Sequence, residues 1–216
     1  MRFSHAFFDL DGTLTDSADG ILNSVSHALS YFGLSIPREE LLHFIGPPLL
    51  ESFLPLLDHD IHLAHDAVSK YREYFSSTGI YENRVYDGIA EMLRAVSQAG
   101  LSLCLATSKP EPFALRIMHH FRLEEFFTVM AGADLHGPRH DKVDVLRHAH
   151  TLAGTPPLSR CLMVGDRKHD IEGARAVGML CCGVLYGYGS KEELELAGAD
   201  FLARTVAEVQ SLLLLA

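Results

Sequence analysis

The stretch Phe7-Phe8-Asp9-Leu10-Asp11-Gly12-Thr13-Leu14-Thr15 decides how this chain is read. The apolar run Ala6 to Phe8 has the character of a buried strand. It ends in two carboxylates one residue apart, followed by a glycine and a threonine. Strand alternation sends Asp9 and Asp11 to the same side, so both charges crowd the strand's carboxyl end, where open α/β sheets bind ligands. Such crowding is costly unless a cation or a shared proton relieves it.

Past that stretch the chain changes character twice. From Asp16 to Glu82 the periodicity is helical: Ile21, Leu22, Val25, Ala28, Leu29 and Phe32 share a face, Gly33 supplies a stop, and a second helix is expected from Ile36. A third is expected from about Ile61 to Phe75, and Gly46-Pro47-Pro48 breaks the chain between them, since neither proline donates a backbone hydrogen bond. This segment holds ten acidic residues against three basic ones, so a large polyanion finds little to grip. From Val85 onward helix alternates with strand. Apolar runs at Leu101 to Ala106, Phe126 to Ala131, Cys161 to Val164 and Met179 to Tyr186 read as strands, with a brief one at Phe201-Leu202. Lys142 opens the helix that carries Val145, Leu146 and Ala149, and His119-His120 reads as a helix end. Repetition at this spacing means parallel strands joined by right-handed crossovers, with helices on both sheet faces.

Composition narrows the classes. With 216 residues, 48% of them hydrophobic, there is room for one ordinary domain plus an insertion. The longest apolar runs are interrupted by charge or glycine, which argues against a membrane span. Met1-Arg2-Phe3-Ser4-His5 leads straight into a strand, so a cytoplasmic protein is expected. Cys104, Cys161, Cys181 and Cys182 fall in apolar runs without metal-ligand spacing and read as buried thiols. A net charge of -10 disfavours nucleic acid. The 13 histidines are scattered, without paired spacing.

In a parallel sheet the strands' carboxyl ends share one edge, and the conspicuous polar residues all lie just past strand ends or at a helix start: Asp9, Asp11, Thr107, Lys142, Asp166 and Asp170. They can converge on one site. The carboxylates suit a hard cation such as Mg²⁺, and Thr107 with Lys142 suits an anion. No glycine loop of the nucleotide-cradling kind accompanies them, which points to phosphoryl chemistry on a small phosphate ester. Lys109 and Lys168 lie on the same edge and compete with Lys142 for the anion.

The run Asp9-Leu10-Asp11-Gly12-Thr13, then Thr107, Lys142, and Gly165-Asp166 with Asp170 four residues on, resembles the four ordered motifs of the haloacid dehalogenase superfamily, across nearly the whole chain. The resemblance implies a Rossmann-like three-layer α/β core, residues 1–15 and 83–216, with an inserted α-helical cap domain, residues 16–82, as in the phosphoglycolate phosphatase-like branch. It implies that Asp9 is the nucleophile, forming an aspartyl phosphate, and that Asp11 is general acid and then base. Mg²⁺ would be held by the Asp9 carboxylate, the Asp11 backbone carbonyl and the Asp166 carboxylate, with Asp170 orienting Lys142 or metal-bound water. Gly12, Thr13, Thr107, Ser108 and Lys142 would surround the phosphoryl group, and Gly46 and Pro47 would form a substrate-facing cap loop. Asp11 argues against haloalkanoate dehalogenases and phosphonate hydrolases, whose patterns lack that carboxylate.

The expected activity is therefore hydrolysis of a small phosphorylated metabolite, phosphoglycolate first, by a monomer or homodimer without nucleic-acid or membrane partners. A nucleotidase or pyrophosphatase follows, then a sugar phosphomutase. A phospho-receiver module, which also gathers acids, a threonine and a lysine around Mg²⁺, is the non-enzymatic alternative, disfavoured by chain length and the insertion.

Overall fold

The computed structural model describes residues 2–135 and 137–215, and these form two compact units. Among the described residues the first comprises 2–15, 85–135 and 137–215, and the second 16–84. The chain passes between them in two short strands, β2 (Thr15–Asp16) and β3 (Arg84–Val85).

The first unit is built on a six-stranded parallel sheet: β1 (His5–Phe8), β4 (Ser102–Pro110), β5 (Val129–Ala133), β6 (Cys161–Gly165), β7 (Leu180–Val184) and β8 (Phe201–Ala203), in the order β5-β4-β1-β6-β7-β8. β1 is central because every residue of Ala6-Phe7-Phe8 is buried, which only a strand covered on both faces allows. It pairs with β4 through His5↔Ser102 and with β6 through His5↔Cys161. Phe7 shares one sheet face with Cys104, Ala106, Met163 and Cys181, covered by Val145, Leu146 and Ala149 of α6 (Lys142–Leu152) and Ile171 and Ala174 of α7 (Lys168–Val177). Burying a phenylalanine fully, as at Phe7 and Phe8, stabilises the fold by about 1.5–3 kcal/mol each. The remaining helices are α4 (Ile89–Gln98), which packs against α9 (Val206–Leu215), α5 (Glu111–His120) and α8 (Lys191–Leu196). This is the expected α/β, Rossmann-like arrangement. The four cysteines are buried free thiols.

Several boundaries differ from those read in the sequence. β4 runs four residues beyond Ala106, through Thr107 to Pro110, because pairing with β5 continues where the apolar pattern stops. β5 begins at Val129 instead of Phe126, since a 3-10 turn occupies Glu124–Phe126. β7 ends at Val184, two residues before Tyr186.

The second unit is helical. α1 (Ala18–Tyr31) and α3 (Ile61–Ser77) lie together, with the short α2 (Leu49–Phe53) against α3. Ile21, Leu22, Val25 and Leu29 of α1 and Ala64, Ala67, Tyr71 and Phe75 of α3 are buried. Asp60 caps α3, its side chain accepting from the backbone N–H groups of His62 (2.8 Å) and Leu63 (3.2 Å). The second helix expected from Ile36 is a 3-10 segment, Arg38–Phe44. Pro37 precedes it and Gly46-Pro47-Pro48 follows, leaving too little uninterrupted chain for a longer α-helix. Among the described residues no helix is long and apolar enough to cross a membrane.

Candidate active site

The chain adds β4 and β5 on one side of β1 and then returns to place β6 on the other, so the order reverses at β1, where such sheets open a crevice beyond their carboxyl ends. The loops leaving β1 and β6 are neighbours there, and they carry Asp9 and Asp166.

Asp9 follows β1 directly, and its N–H extends the ladder to the Val164 carbonyl (3.0 Å). The strand ends at Phe8, so simple alternation does not position Asp11. A turn does: the N–H groups of Thr13, Leu14 and Thr15 converge on the Leu10 carbonyl, and the Gly12 N–H reaches the Thr15 carbonyl at 2.7 Å. Leu10 and Leu14 anchor that turn in the core. Gly12 sits at φ +80°, and a Cβ there would fall 2.1 Å from Oδ2 of Asp166, so the turn needs glycine for both conformation and space.

Lys142, the first residue of α6, projects its buried ammonium between two carboxylates. Its Nζ donates to Oδ1 of Asp9 (2.7 Å) and to the carbonyl of Ala106 (2.9 Å), and lies 2.7 Å from Oδ1 of Asp170. Asp170 also accepts the Arg167 N–H through Oδ2 (3.0 Å), which ties it to the start of α7. Asp166 is fully buried, with Oδ2 accepting the Tyr188 N–H (2.8 Å) and Oδ1 the Thr13 hydroxyl (3.4 Å). Thr107 is buried on β4, its hydroxyl accepting the Lys109 N–H (3.2 Å), and Ser108 is half-buried between them.

Carboxylate oxygens of Asp9, Asp166 and Asp170 lie within 4.8 Å of one another, a group that could hold a metal ion. Burial pushes the Asp9 carboxyl up to about 6. Lys142 opposes that rise, while Asp170 and Asp11 add to it. Burial likewise lifts Asp166 well above the usual carboxylate range, reinforced by Asp170 and Asp9 and moderated by the Tyr188 N–H and Arg167. Burial would lower the Lys142 amine, but the Asp170 and Asp9 carboxylates outweigh it and hold it above its ordinary value. Three buried acids around one buried ammonium leave an excess of negative charge, and a divalent cation with oxygen ligands fits that donor set. The carboxylate of Asp11 lies outside this group.

Asp9, Asp11, Gly12, Thr13, Thr107, Ser108, Lys142, Asp166 and Asp170 thus belong to the first unit, while Gly46 and Pro47 belong to the second. Two features escaped the sequence reading. Lys109, there a competitor of Lys142 for the anion, instead donates to Oδ2 of Asp11 at 2.5 Å. After β7, Tyr186-Gly187-Tyr188-Gly189 folds over Asp166: the Tyr186 hydroxyl donates to the Thr13 carbonyl (3.1 Å), and Cβ atoms at Gly187 and Gly189 would strike the Asp166 side chain and backbone. Alternating glycines straight after a strand were the signal for that loop.

A family model for haloacid dehalogenase-like hydrolases matches residues 6–184. A 5'-nucleotidase of Pseudomonas aeruginosa is 46% identical over 90% of this chain and 88% of its own length. The tyrosine-protein kinase PtkA of Mycobacterium tuberculosis is 44% identical over 94% of this chain, which spans 66% of that protein. Among solved structures, a predicted phosphatase from Clostridium acetobutylicum superposes with a TM-score of 0.94 at 39% identity, covering 100% of both chains.

Proposed function

Because the chain belongs to the haloacid dehalogenase-like hydrolases, we propose that it is a Mg²⁺-dependent phosphatase that cleaves a small phosphate monoester through an aspartyl phosphate on Asp9. The observation that carries this reading is the Asp9 carboxylate, buried at the strand end, with one oxygen on Lys142 and Asp166 and Asp170 beside it.

In this reading a carboxylate oxygen of Asp9 bonds to phosphorus as the ester oxygen departs. Asp11 gives that oxygen a proton, then takes one from the water that hydrolyses the intermediate. Lys142 and Thr107 hold the phosphoryl oxygens while their charge redistributes, with Gly12, Thr13 and Ser108 around them. Asp170 keeps Lys142 aimed at Asp9. The Asp9 and Asp166 carboxylates and the Asp11 backbone carbonyl would hold Mg²⁺, which when bound would offset repulsion between the nucleophile and a phosphate dianion. The inserted residues 16–82 select the substrate, with Gly46 and Pro47 as contacts.

Phosphoglycolate led the expectation from sequence. The 46% identity to a protein named for 5'-nucleotide hydrolysis supports putting nucleoside 5'-monophosphates ahead of it. Phosphate release from adenosine 5'-monophosphate, phosphoglycolate, pyrophosphate and 4-nitrophenyl phosphate, with Mg²⁺ and with chelator, tests the proposal. Full activity in chelator, or in Asp9→Asn, would sink the mechanism. Phosphate moved between sugar positions with little release would favour a mutase.

A further inference from the structure

We propose that Lys109 is the positioning residue for Asp11: its ammonium holds Oδ2 and leaves Oδ1 as the oxygen that exchanges protons. The inference rests on the phosphatase reading above and deepens it.

The two lysines at this edge divide the carboxylates between them. Lys142 serves Asp9 and Asp170, and Lys109 serves Asp11 through the 2.5 Å contact to Oδ2. The side chains of Lys109 and Asp11 are only 6% and 16% exposed. A lysine is rarely so covered without a partner of opposite charge. Oδ1 of Asp11, by contrast, is buried and has no hydrogen-bond partner among the described residues. Buried carboxylate oxygens are normally satisfied, so an orphan beside Asp9 marks an atom awaiting a partner from outside the protein. The backbone of Asp11 is fixed by the Leu10 and Thr15 carbonyl bonds, so side-chain rotation is the freedom left, and Lys109 removes it.

The strand geometry around Lys109 serves the same contact. The pairing of β4 with β5 shifts register between Thr107 and Pro110, an irregularity of the kind that re-aims a side chain. The Thr107 hydroxyl accepts the Lys109 N–H inside it. Gly132 on β5 makes the space: a Cβ there would lie 2.8 Å from the Lys109 carbonyl and 2.6 Å from the Glu111 Cα.

In the first half-reaction the proton leaves Oδ1 for the departing oxygen, which keeps the electron pair of the breaking P–O bond as phosphorus bonds to Asp9. In the second, Oδ1 takes a proton from water while the water oxygen bonds to phosphorus and the Asp9–phosphorus bond breaks. An acid or base displaced by about an ångström loses on the order of 10²-fold in rate.

The test compares Lys109→Met, Lys109→Gln and Lys109→Arg with wild type in Mg²⁺ on two esters of similar shape, 4-nitrophenyl phosphate and phenyl phosphate. The first leaving group departs readily without a proton and the second needs one. Lys109→Met and Lys109→Gln are expected to lose up to about 10²-fold more kcat/KM on phenyl phosphate than on 4-nitrophenyl phosphate, and Lys109→Arg is expected to narrow that gap. Equal losses on both esters, no loss on either, or a matched rise in KM with kcat untouched would each overturn the assignment while leaving the phosphatase reading intact. Circular dichroism checks folding, and if Lys109→Met is unfolded the Gln and Arg variants decide. A wild type inactive on both esters overturns the phosphatase reading and this inference together.

Discussion

Replacing Lys142 with methionine removes one buried positive charge and little volume. The side chain's stem runs beside Gly173, where a Cβ would come within 2.6 Å of the Lys142 Cγ, so methionine occupies the same channel. What is lost is the ammonium with its contacts to Asp9, Asp170 and the Ala106 carbonyl. Removing one partner of a buried ion pair costs about 3–5 kcal/mol, because the remaining charge is left uncompensated. For a domain of this size each kcal/mol is worth roughly 2–4 °C in Tm, so the variant should melt roughly 6–20 °C below wild type in chelator at pH 8. The deficit should shrink at pH 5. Lys142 lowers the Asp9 pKa, so without it Asp9 takes up a proton more readily, and a neutral carboxyl needs no counter-charge. Thermal melts followed by circular dichroism at both pH values measure this. A variant as stable as wild type at pH 8, or a deficit that grows on acidification, would refute the account of Lys142 as the counter-ion. Adding Asp170→Asn should recover part of the loss, since contacting residues deviate from additivity by about 0.5–3 kcal/mol.

In metal-free buffer the wild type should itself depend on pH. Asp9 titrates near 6 in the folded chain against about 4 unfolded, so the native state holds a proton that the unfolded state has released. Stability therefore falls as pH rises from about 4 to about 6, by roughly 3 kcal/mol in total, and denaturant titrations of Asp9→Asn should show that slope flattened. Mg²⁺ should raise the melting temperature, by about 2.7 kcal/mol of stability at 100 times its Kd, and calorimetry that shows no shift at millimolar Mg²⁺ would count against the proposed ligands. Gly12→Ala should destabilise by at least the roughly 1–3 kcal/mol of a left-handed backbone, and should weaken Mg²⁺ binding by displacing Asp166, read by the same calorimetry.

The parts of the molecule legible in the sequence were those with local causes. Two carboxylates after an apolar run, a lysine opening a helix and Gly165-Asp166 after a strand announce themselves within a few residues. The α/β alternation was legible for the same reason. What escaped depended on partners distant in sequence. The polar half of β4 is a strand because β5 lies beside it, and the Thr107 to Pro110 irregularity exists because Gly132 leaves room. That Lys109 and Lys142 each take a carboxylate of their own could not be read from spacing. In the second unit, helical periodicity from Ile36 was real but too closely bracketed by prolines to close α-helical turns.

The central strand also has a consequence for synthesis. His5 to Phe8 leave the ribosome long before the neighbours that pair with them, Ser102 to Leu105 and Cys161 to Val164. At ordinary translation rates the wait for β6 is on the order of 10 s. During that interval the contiguous unit of residues 16–84 is complete, while four residues destined for the middle of a sheet have nothing to pair with. Placing Asp9 directly after β1 thus makes the surroundings of the proposed nucleophile depend on β4 and β6, strands made long after it.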